Sequence, residues 1–507
     1  MRVGRLGRVV LAAVVVLVLA GVYGLARINH PAAKAARPAT ASRVDVSTAV
    51  RVCPAPGSAG PTASSLAVAA VPGSAKAGSA VVTPLSPTGG TSAGPAMATL
   101  TKPGVLQTTG IPVAPALSAE QQAGQAGSSP TVRTQAGRGG IQVSATGALA
   151  QGLEVEQTTL GGLFKAQCSA PGTNFWFTGP GQKSAGTIEV YLTNTGDIPA
   201  DAQVQVLTDA SSERQLGNVD NGITVPPHGM VVQSLSDLLQ GSSIMALNVS
   251  TTVGQVAAAV RESQSGGQDG SWVPALQAPA RHLVIPGVAA IGGSPDLYIA
   301  VPGTGAAQIK ITAITQRGSY QPTGGTGIDL LGGSVSDIPL PSLAGISGAL
   351  SITSTVPVVA ALREAGGPAG GIGAVAVSSG PVLEQGVLAA NPAGSAGLTQ
   401  LVLSAPGKAA SVRIATATDT TPASPGAGQV VHIAAKSSVV VPVTPPDGSK
   451  VSQFTLVVTP LKGSGPVYGG DVISARGSLQ AIEPVPSSLT WIPLPGVTES
   501  LAAILGS

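Results

Sequence analysis

Ile141-Gln-Val-Ser144 returns as Leu247-Asn-Val-Ser250, as Leu350-Ser-Ile-Thr353 and as Leu456-Val-Val-Thr459. Each reads as one strand centred on Val143, Val249, Ile352 or Val458, and these stand 106, 103 and 106 residues apart. A fixed period marks repeated structural units, and a unit of this length can bury its own core. After each copy come a short turn and a second apolar stretch, at 149–153, 256–260, 358–362 and 467–472. The four central positions are expected to face inward, with neighbours such as Asn248 and Ser351 on a wet face.

Other segments keep the same period. Residues 223–235, 328–340 and 431–443 align without a gap as strand, turn and strand, placing His228, Gly333 and Lys436 at one turn position. Tyr191 to Gly196, Tyr298 to Gly303 and Val402 to Gly407 keep one strand-to-glycine spacing, and Ala70-Val-Pro-Gly73 matches Ala300-Val-Pro-Gly303. Glu189-Val-Tyr-Leu-Thr193, Gln308-Ile-Lys-Ile-Thr312 and Ser411-Val-Arg-Ile-Ala415 alternate with the period of two that a half-buried strand requires. Several such runs per unit, separated by Gly, Pro, Asn and Asp, predict a β-sandwich of immunoglobulin-like size. The rival is a β-propeller with two blades per repeat, whose periodic aromatic signatures are missing here.

The expected fold is therefore all-β: four tandem immunoglobulin-like β-sandwich repeats after an N-terminal transmembrane helix. The expected division is a cytoplasmic N-terminus (1–8), a membrane anchor or signal segment (9–26) and a flexible stem (27–45). Sandwiches follow at 46–165 (diverged, with long loops), 166–268, 269–368 and 369–483, and a tail at 484–507 in which 498–505 could form a short docking helix.

Charged residues are 10% of the chain and aromatics 2%, so the cores must be built from Val, Leu, Ile and Ala. Lys+Arg 26 against Asp+Glu 23 gives a net charge of +3, too balanced to imply a nucleic-acid partner. One segment has the length to cross a membrane, 9–26, which follows Arg2, Arg5 and Arg8 and carries no charge. A short basic N-terminus ordinarily stays in the cytoplasm, which would place the bulk outside. Ala33-Lys-Ala35 and Ala39-Thr-Ala41 are small-residue cleavage sites, but they lie far from the apolar run, so a retained anchor is favoured over secretion after cleavage.

Cys53-Pro-Ala-Pro-Gly57 and Cys168-Ser-Ala-Pro-Gly172 hold the only two cysteines. A single pair in an exported chain is most simply a disulfide. Two separate buried thiols are the alternative, and metal binding is weaker still because no histidine lies near either.

Catalytic patterns are thin. Gly90-Thr-Ser-Ala-Gly94 fits G-x-S-x-G, but in a low-complexity stretch with no helix to form the nucleophile elbow. His30, His228, His282 and His432 lack zinc-ligand spacing, and the acids read as isolated, so neither a metal, a cofactor nor an acid–base pair is expected. Arg261-Glu262 and Arg363-Glu364 read as solvated strand ends. Asn174-Phe-Trp-Phe177 is the one aromatic cluster. Alternation separates Trp176 from Phe175 and Phe177, and a core tryptophan outweighs a stacking platform for a ligand. Phe175, Trp176 and Trp272 remain the candidate platform residues.

Cys53, Cys168, Trp176-Phe-Thr-Gly179 and Pro357-Val-Val-Ala-Ala-Leu-Arg363, on this layout, carry a resemblance. The chain resembles an uncharacterised family of actinobacterial membrane-anchored extracytoplasmic proteins, the Domain of Unknown Function 5719 type. The resemblance implies a location and no activity. The expected function is a membrane-tethered, non-enzymatic envelope scaffold: a string of sandwiches whose partners are the membrane and unknown envelope proteins or glycans. A carbohydrate-binding protein using exposed aromatics is the second reading and a hydrolase the third.

Overall fold

In a computed structural model the described residues are 10, 13–23, 42–54, 65–70, 77–90, 94–101, 139–159, 164–181, 186–209, 216–218, 222–263, 270–290, 294–364, 374–394, 397–418, 426–446, 451, 453–475 and 478–494. They belong to two bodies, each treated by itself: Asp45–Thr490, and Met1–Val44 with Trp491–Ser507.

Strand β1 (Ser42–Asp45) belongs chiefly to the smaller body. Repeat 1 of the larger body holds β2 (Thr48–Cys53), β3 (Ser65–Ala69), β4 (Gly78–Pro84), β5 (Ala98–Leu100), β6 (Ile141–Gly147), β7 (Glu154–Thr159) and β8 (Phe164–Gln167). Repeat 2 holds β9 (Asn174–Pro180), β10 (Thr187–Thr193), β11 (Ala200–Thr208), β12 (Leu216–Asn218), β13 (Ile223–Val225), β14 (Met230–Ser234), β15 (Ile244–Val253), β16 (Ala257–Ser263) and β17 (Gly270–Val273). Repeat 3 holds β18 (Ala280–Val288), β19 (Asp296–Val301), β20 (Ala307–Thr315), β21 (Gly318–Tyr320), β22 (Ile328–Leu330), β23 (Ser334–Pro339), β24 (Gly348–Glu364) and β25 (Ala374–Val377). Repeat 4 holds β26 (Gly386–Pro392), β27 (Leu398–Ala405), β28 (Ala410–Ala417), β29 (Gln429–Ile433), β30 (Ser437–Val443), β31 (Gln453–Pro460), β32 (Tyr468–Ala475) and β33 (Ser478–Pro484). The chain ends its described part in β34 (Trp491–Leu494), which pairs with β1.

The chain is all-β in these repeats, and the four share one plan, the second sheet of repeat 1 having three described strands where the others have four. Its first sheet runs β2-β6-β4-β5, β9-β15-β11-β12, β18-β24-β20-β21 or β26-β31-β28-β29. Its second runs β3-β7-β8, β14-β10-β16-β17, β23-β19-β24-β25 or β30-β27-β32-β33. Val143, Val249, Ile352 and Val458 fall on β6, β15, β24 and β31, each the strand between the first and third of its sheet. Their partners are Arg51 and Val82, Phe175 and Val204, Leu283 and Ile311, Gly386 and Ile414. All four are 0% exposed and lie in the cores between the paired sheets. The alternation of small or polar residues with branched apolar ones produces this facing.

The turn position shared by His228, Gly333 and Lys436 has φ of 49°, 74° and 57° in the three copies. Glycine reaches this left-handed region freely, whereas a side chain there costs roughly 1 kcal/mol.

Three expectations need correction. Residues 149–152 form a turn, with Gly147 and Gly152 at φ 56° and 60°, so the second strand of repeat 1 starts only at Glu154. In repeat 3 the expected turn is absent: β24 continues for 17 residues and belongs to both sheets. Asn248 is buried, and its Nδ2 donates to Asn174 Oδ1 and Phe175 O at 3.0 and 3.1 Å.

The repeats also do not form an open string. Ala257 of repeat 2's second sheet packs on Val52 and Leu85 beside repeat 1's first sheet. Trp176, Leu207, Ile244 and Ala246 of repeat 2's first sheet pack on Tyr298, Val335 and Val359 of repeat 3's second. Val284, Ile314 and Ala349 of repeat 3's first sheet meet Tyr468 of repeat 4's second, and Val402, Val472 and Ile482 join the same seam. Finally Val387, Ala389, Ala390 and Val457 of repeat 4's first sheet pack on Ala67 and Ala69 of repeat 1's second. Each first sheet thus faces the next repeat's second sheet, and the last repeat closes on the first. Sheet stacking of this cyclic kind belongs to propellers, whereas strands that alternate between the two sheets of a repeat belong to sandwiches.

Residues 485–490 follow the closing seam. Thr490 O accepts from Val46 N–H at 2.9 Å and Leu489 O from Gly152 N–H at 3.0 Å. The expected helix at 498–505, the stem up to residue 41 and His30 lie outside the described residues. In the smaller body, residues 13–23 are helical. Among the described residues no helix is long and apolar enough to cross a membrane. Arg43 stacks over the Trp491 ring at 3.9 Å.

Candidate functional site

The closing seam gathers charged residues that are far apart in sequence. On β7, Val155 points into the core of repeat 1, so Glu154, Glu156 and Thr158 point out, onto a face that repeat 4 covers. Strand β8 sets Lys165 opposite Thr158, beside Glu156. In repeat 4, β32 and β33 place Asp471 directly opposite Glu483. Lys165 Nζ lies 3.0 Å from Glu156 Oε2, 2.7 Å from Glu483 Oε2 and 3.5 Å from Asp471 Oδ2. The Lys165, Glu156 and Asp471 side chains are 0% exposed.

Glu156 is held from its other side by a β-bulge. Between Leu388 and Asn391 the register of β26 slips, and such a slip takes backbone groups out of the ladder. The freed Ala389 and Ala390 N–H groups donate to Glu156 Oε1 and Oε2, both at 2.9 Å. Next to it Ser488 Oγ donates to Glu154 Oε1 at 3.0 Å, and Arg51 reaches the same carboxylate at 3.4 Å.

One ammonium faces three carboxylates, so the cluster is short of positive charge. Burial pushes Glu483 up to about 8 and Asp471 up to about 6, with the Lys165 charge opposing both shifts. For Lys165 burial alone would favour proton loss, but Glu156, Glu483 and Asp471 together raise it above its ordinary value. Lys165 is therefore charged at neutral pH, and burial favours the protonated form of Glu483.

Strands β8, β17, β25 and β33, the last of each repeat, converge on a cavity of about 30 Å³ lined by Lys165, Trp272, Val375 and Glu483 among others. That volume holds one or two waters.

A second set lies on the outer faces of the second sheets of repeats 2 and 3. Glu189 and Tyr191 on β10 lie opposite Arg261 and Ala259, as Asp296 and Tyr298 on β19 lie opposite Arg363 and Ala361. Tyr191 Oη donates to Glu189 Oε2 at 2.9 Å, and its ring meets Trp272 edge-on at 5.1 Å. Arg261, Glu262 and Glu364 are buried rather than solvated, because adjoining elements cover these strand ends. Burial pushes Glu262 up to about 8, opposed by the Arg363 charge. It pushes Glu364 up to about 8 as well, opposed by the Ala289 N–H that donates to its Oε1 at 2.7 Å. The acids are thus not isolated, as the sequence had suggested. Two signals stood in the chain: acid-x-Tyr at 189–191 and 296–298, and Glu154-Val-Glu156 on a strand.

Cys53 and Cys168 are bonded to each other, beside a two-way backbone bridge between Val52 and Ser169. Of the candidate platform residues, Trp176 is 6% exposed in the seam between repeats 2 and 3. Phe175 is half-buried against the core of repeat 2, and Trp272 is half-buried between Tyr191 and the central cavity. The three do not share a face. The described histidines are spread over three repeats. His228 Nε2 is 2.9 Å from Asp197 Oδ1, His282 is exposed opposite Thr353, and His432 Nδ1 is 2.8 Å from Ser411 Oγ on an exposed face. Residues 91–93 of the G-x-S-x-G match lie outside the described residues. Among the described residues no group of three or more His, Cys, Asp or Glu is placed to hold a metal.

A family model described as a family of unknown function (DUF5719) matches residues 120–444. The chain belongs to this family. The DUF5719 match spans more than half the chain, from repeat 1 into β30 of repeat 4, and brings no activity with it. No curated protein matches the sequence.

Proposed function

We propose that this protein is a membrane-tethered, extracytoplasmic scaffold of the cell envelope without catalytic activity, its immunoglobulin-like repeats joined into one platform for other envelope molecules. The observation that carries the reading is the closing seam. A catalytic acid or base must reach substrate, whereas Glu156, Lys165 and Asp471 are fully covered and hold repeat 4 to repeat 1. The Cys53–Cys168 disulfide supports an oxidising compartment. The apolar run at 9–26 behind three arginines supports a tether with the repeats outside.

The test is cross-linking in cells with protease added from outside. Repeats digested from outside, an N-terminal fragment kept in the membrane and defined envelope partners on the cross-linked repeats are expected. Repeats protected inside intact cells, or turnover of a substrate by the purified chain, overturn the reading.

A carbohydrate-binding role is the second reading, on a different basis from exposed aromatics. A groove of about 460 Å³ in repeat 3 is lined by Gln308, Lys310, Asp329, Thr353, Ser354 and Thr355, a set of donors and acceptors suited to hydroxyl groups. Glycan-array binding lost in Lys310→Ala with Thr353→Val would favour it.

A further inference from the structure

Among its described residues, repeat 4 carries a cationic edge with no acid in an ion pair with it. Three connections meet at one end of this repeat. The Lys436 N–H donates to Ala405 O at 2.8 Å, the Gly465 N–H to Ala409 O at 3.0 Å and the Leu461 N–H to Ser411 O at 2.8 Å. The β27–β28, β29–β30 and β31–β32 connections are thereby stitched together, and each presents one exposed lysine: Lys408, Lys436 and Lys462. The basic strip continues onto the outer face of the first sheet through His432, paired with Ser411, and Arg413, whose Nε has no hydrogen-bond partner.

None of these five basic groups is in an ion pair among the described residues. Asp471 and Glu483 are buried at the seam with repeat 1. At the equivalent turn repeat 2 has His228 beside Asp197, and repeat 3 has the uncharged Gly333. In repeat 4 a lysine occupies the same left-handed position, at φ 57°, although glycine would fit without strain. An unfavourable backbone conformation held for the sake of a charge points to a use for that charge.

We propose that this end of repeat 4 binds a linear, phosphate-bearing polyanion, with Lys408, Lys436 and Lys462 as point charges on successive phosphates. Lysine is a flexible point-charge donor to phosphate, suited to a chain without fixed geometry. A lipid surface fits less well. Stable membrane docking needs an apolar insertion beside the basic groups, and none of the three connections exposes a large apolar side chain. The inference gives the proposed scaffold a partner but rests on the charge of this edge alone.

The test uses the whole chain in detergent micelles and fluorescently labelled linear inorganic polyphosphate, read by anisotropy at several salt concentrations. Binding that weakens as salt rises is expected. The triple variant K408E/K436G/K462E should bind roughly ten-fold or more weakly, with a flatter salt dependence. K436G alone should bind more weakly while melting no lower than the wild type, a split that a structural role for the lysine would not give. R281E, at an exposed position on β18 of repeat 3, should bind as the wild type. No binding at low salt, wild-type affinity in the triple variant, or equal loss in R281E overturns the proposal. Lysine-dependent binding to phosphatidylglycerol vesicles without binding to polyphosphate overturns it in favour of a membrane.

Discussion

Replacing Lys165 with methionine keeps the length of the side chain and removes the cation that faces Glu156, Asp471 and Glu483. Three carboxylates at 3.0, 2.7 and 3.5 Å from Nζ then share a buried space with no counter-charge. Breaking a buried ion pair by deleting one partner costs roughly 3–5 kcal/mol, because the remaining charge stays buried. The cost must depend on pH. Glu483 is raised from 4.5 to about 8 and Asp471 from 3.8 to about 6 in the folded chain, so the folded state binds protons more tightly than the unfolded state. The wild-type seam is therefore most stable below about pH 4 and weakens as pH rises through 6 and 8, at about 1.4 kcal/mol per unit of difference for each independent group. Without Lys165 both acids shift further up, so Lys165→Met should be mild near pH 4 and severe near pH 8. The readout is hydrogen exchange at the Ala389 and Ala390 amides, whose partner is Glu156. Exchange there should quicken in the variant at pH 8, after correction for the intrinsic rate, while amides around Val249 in the core of repeat 2 stay protected. Unchanged protection at Ala389 and Ala390, or a loss that is equal at pH 4 and pH 8, would refute the account of the seam.

Glu483→Gln should stabilise the chain above pH 8, where the wild type must either ionise Glu483 or open, and calorimetry across pH 5–9 checks the sign. Val249→Asp should destabilise repeat 2 by at least about 3 kcal/mol, since it buries an unpaired carboxylate at a fully covered position. Ser351→Ala, on a half-buried face, should cost well under 1 kcal/mol by urea unfolding. Cys53→Ser with Cys168→Ser removes a cross-link spanning 115 residues and should lower stability by about 5 kcal/mol in the loop-entropy model, as read by reversible denaturation.

Within a repeat, much of the structure could be read from the chain, because strand facing is a local property. Val143, Val249, Ile352 and Val458 repeat because each lines its own core, and His228, Gly333 and Lys436 align because one turn recurs. The error at 149–152 has a local cause too: four apolar or neutral residues without a charge look like a strand, and only the left-handed Gly147 before them and Gly152 at their end mark the turn. What could not be read was the packing of one repeat on another. The closing seam holds Ala67, Ala69, Ala389 and Ala390, small residues that are equally at home on a wet face. Glu154-Val-Glu156 shows the ordinary alternation of a half-exposed strand, yet its polar face is the covered one.

A signal for the closed arrangement was nonetheless present in strands without alternation. Ala374-Val-Ala-Val377 and Gly386-Val-Leu-Ala-Ala-Asn-Pro392 are buried at every position, as a strand with both faces covered must be. The same argument accounts for the composition. In an open string, each repeat would show water the outer faces of both sheets, and half of every strand would have to be polar. Once the first sheet of each repeat is covered by the second sheet of the next, outer faces become interior as well. A chain with 10% charged residues is then consistent with a folded all-β protein, because little sheet surface remains for charges to cover. The acids left inside, at the closing seam, are the groups that resist such burial most strongly. For that reason Lys165 must come from one repeat and its partners Asp471 and Glu483 from another. Neither repeat can bury its share of the charge alone, so the cluster favours the closed cycle over any arrangement in which repeats 1 and 4 part.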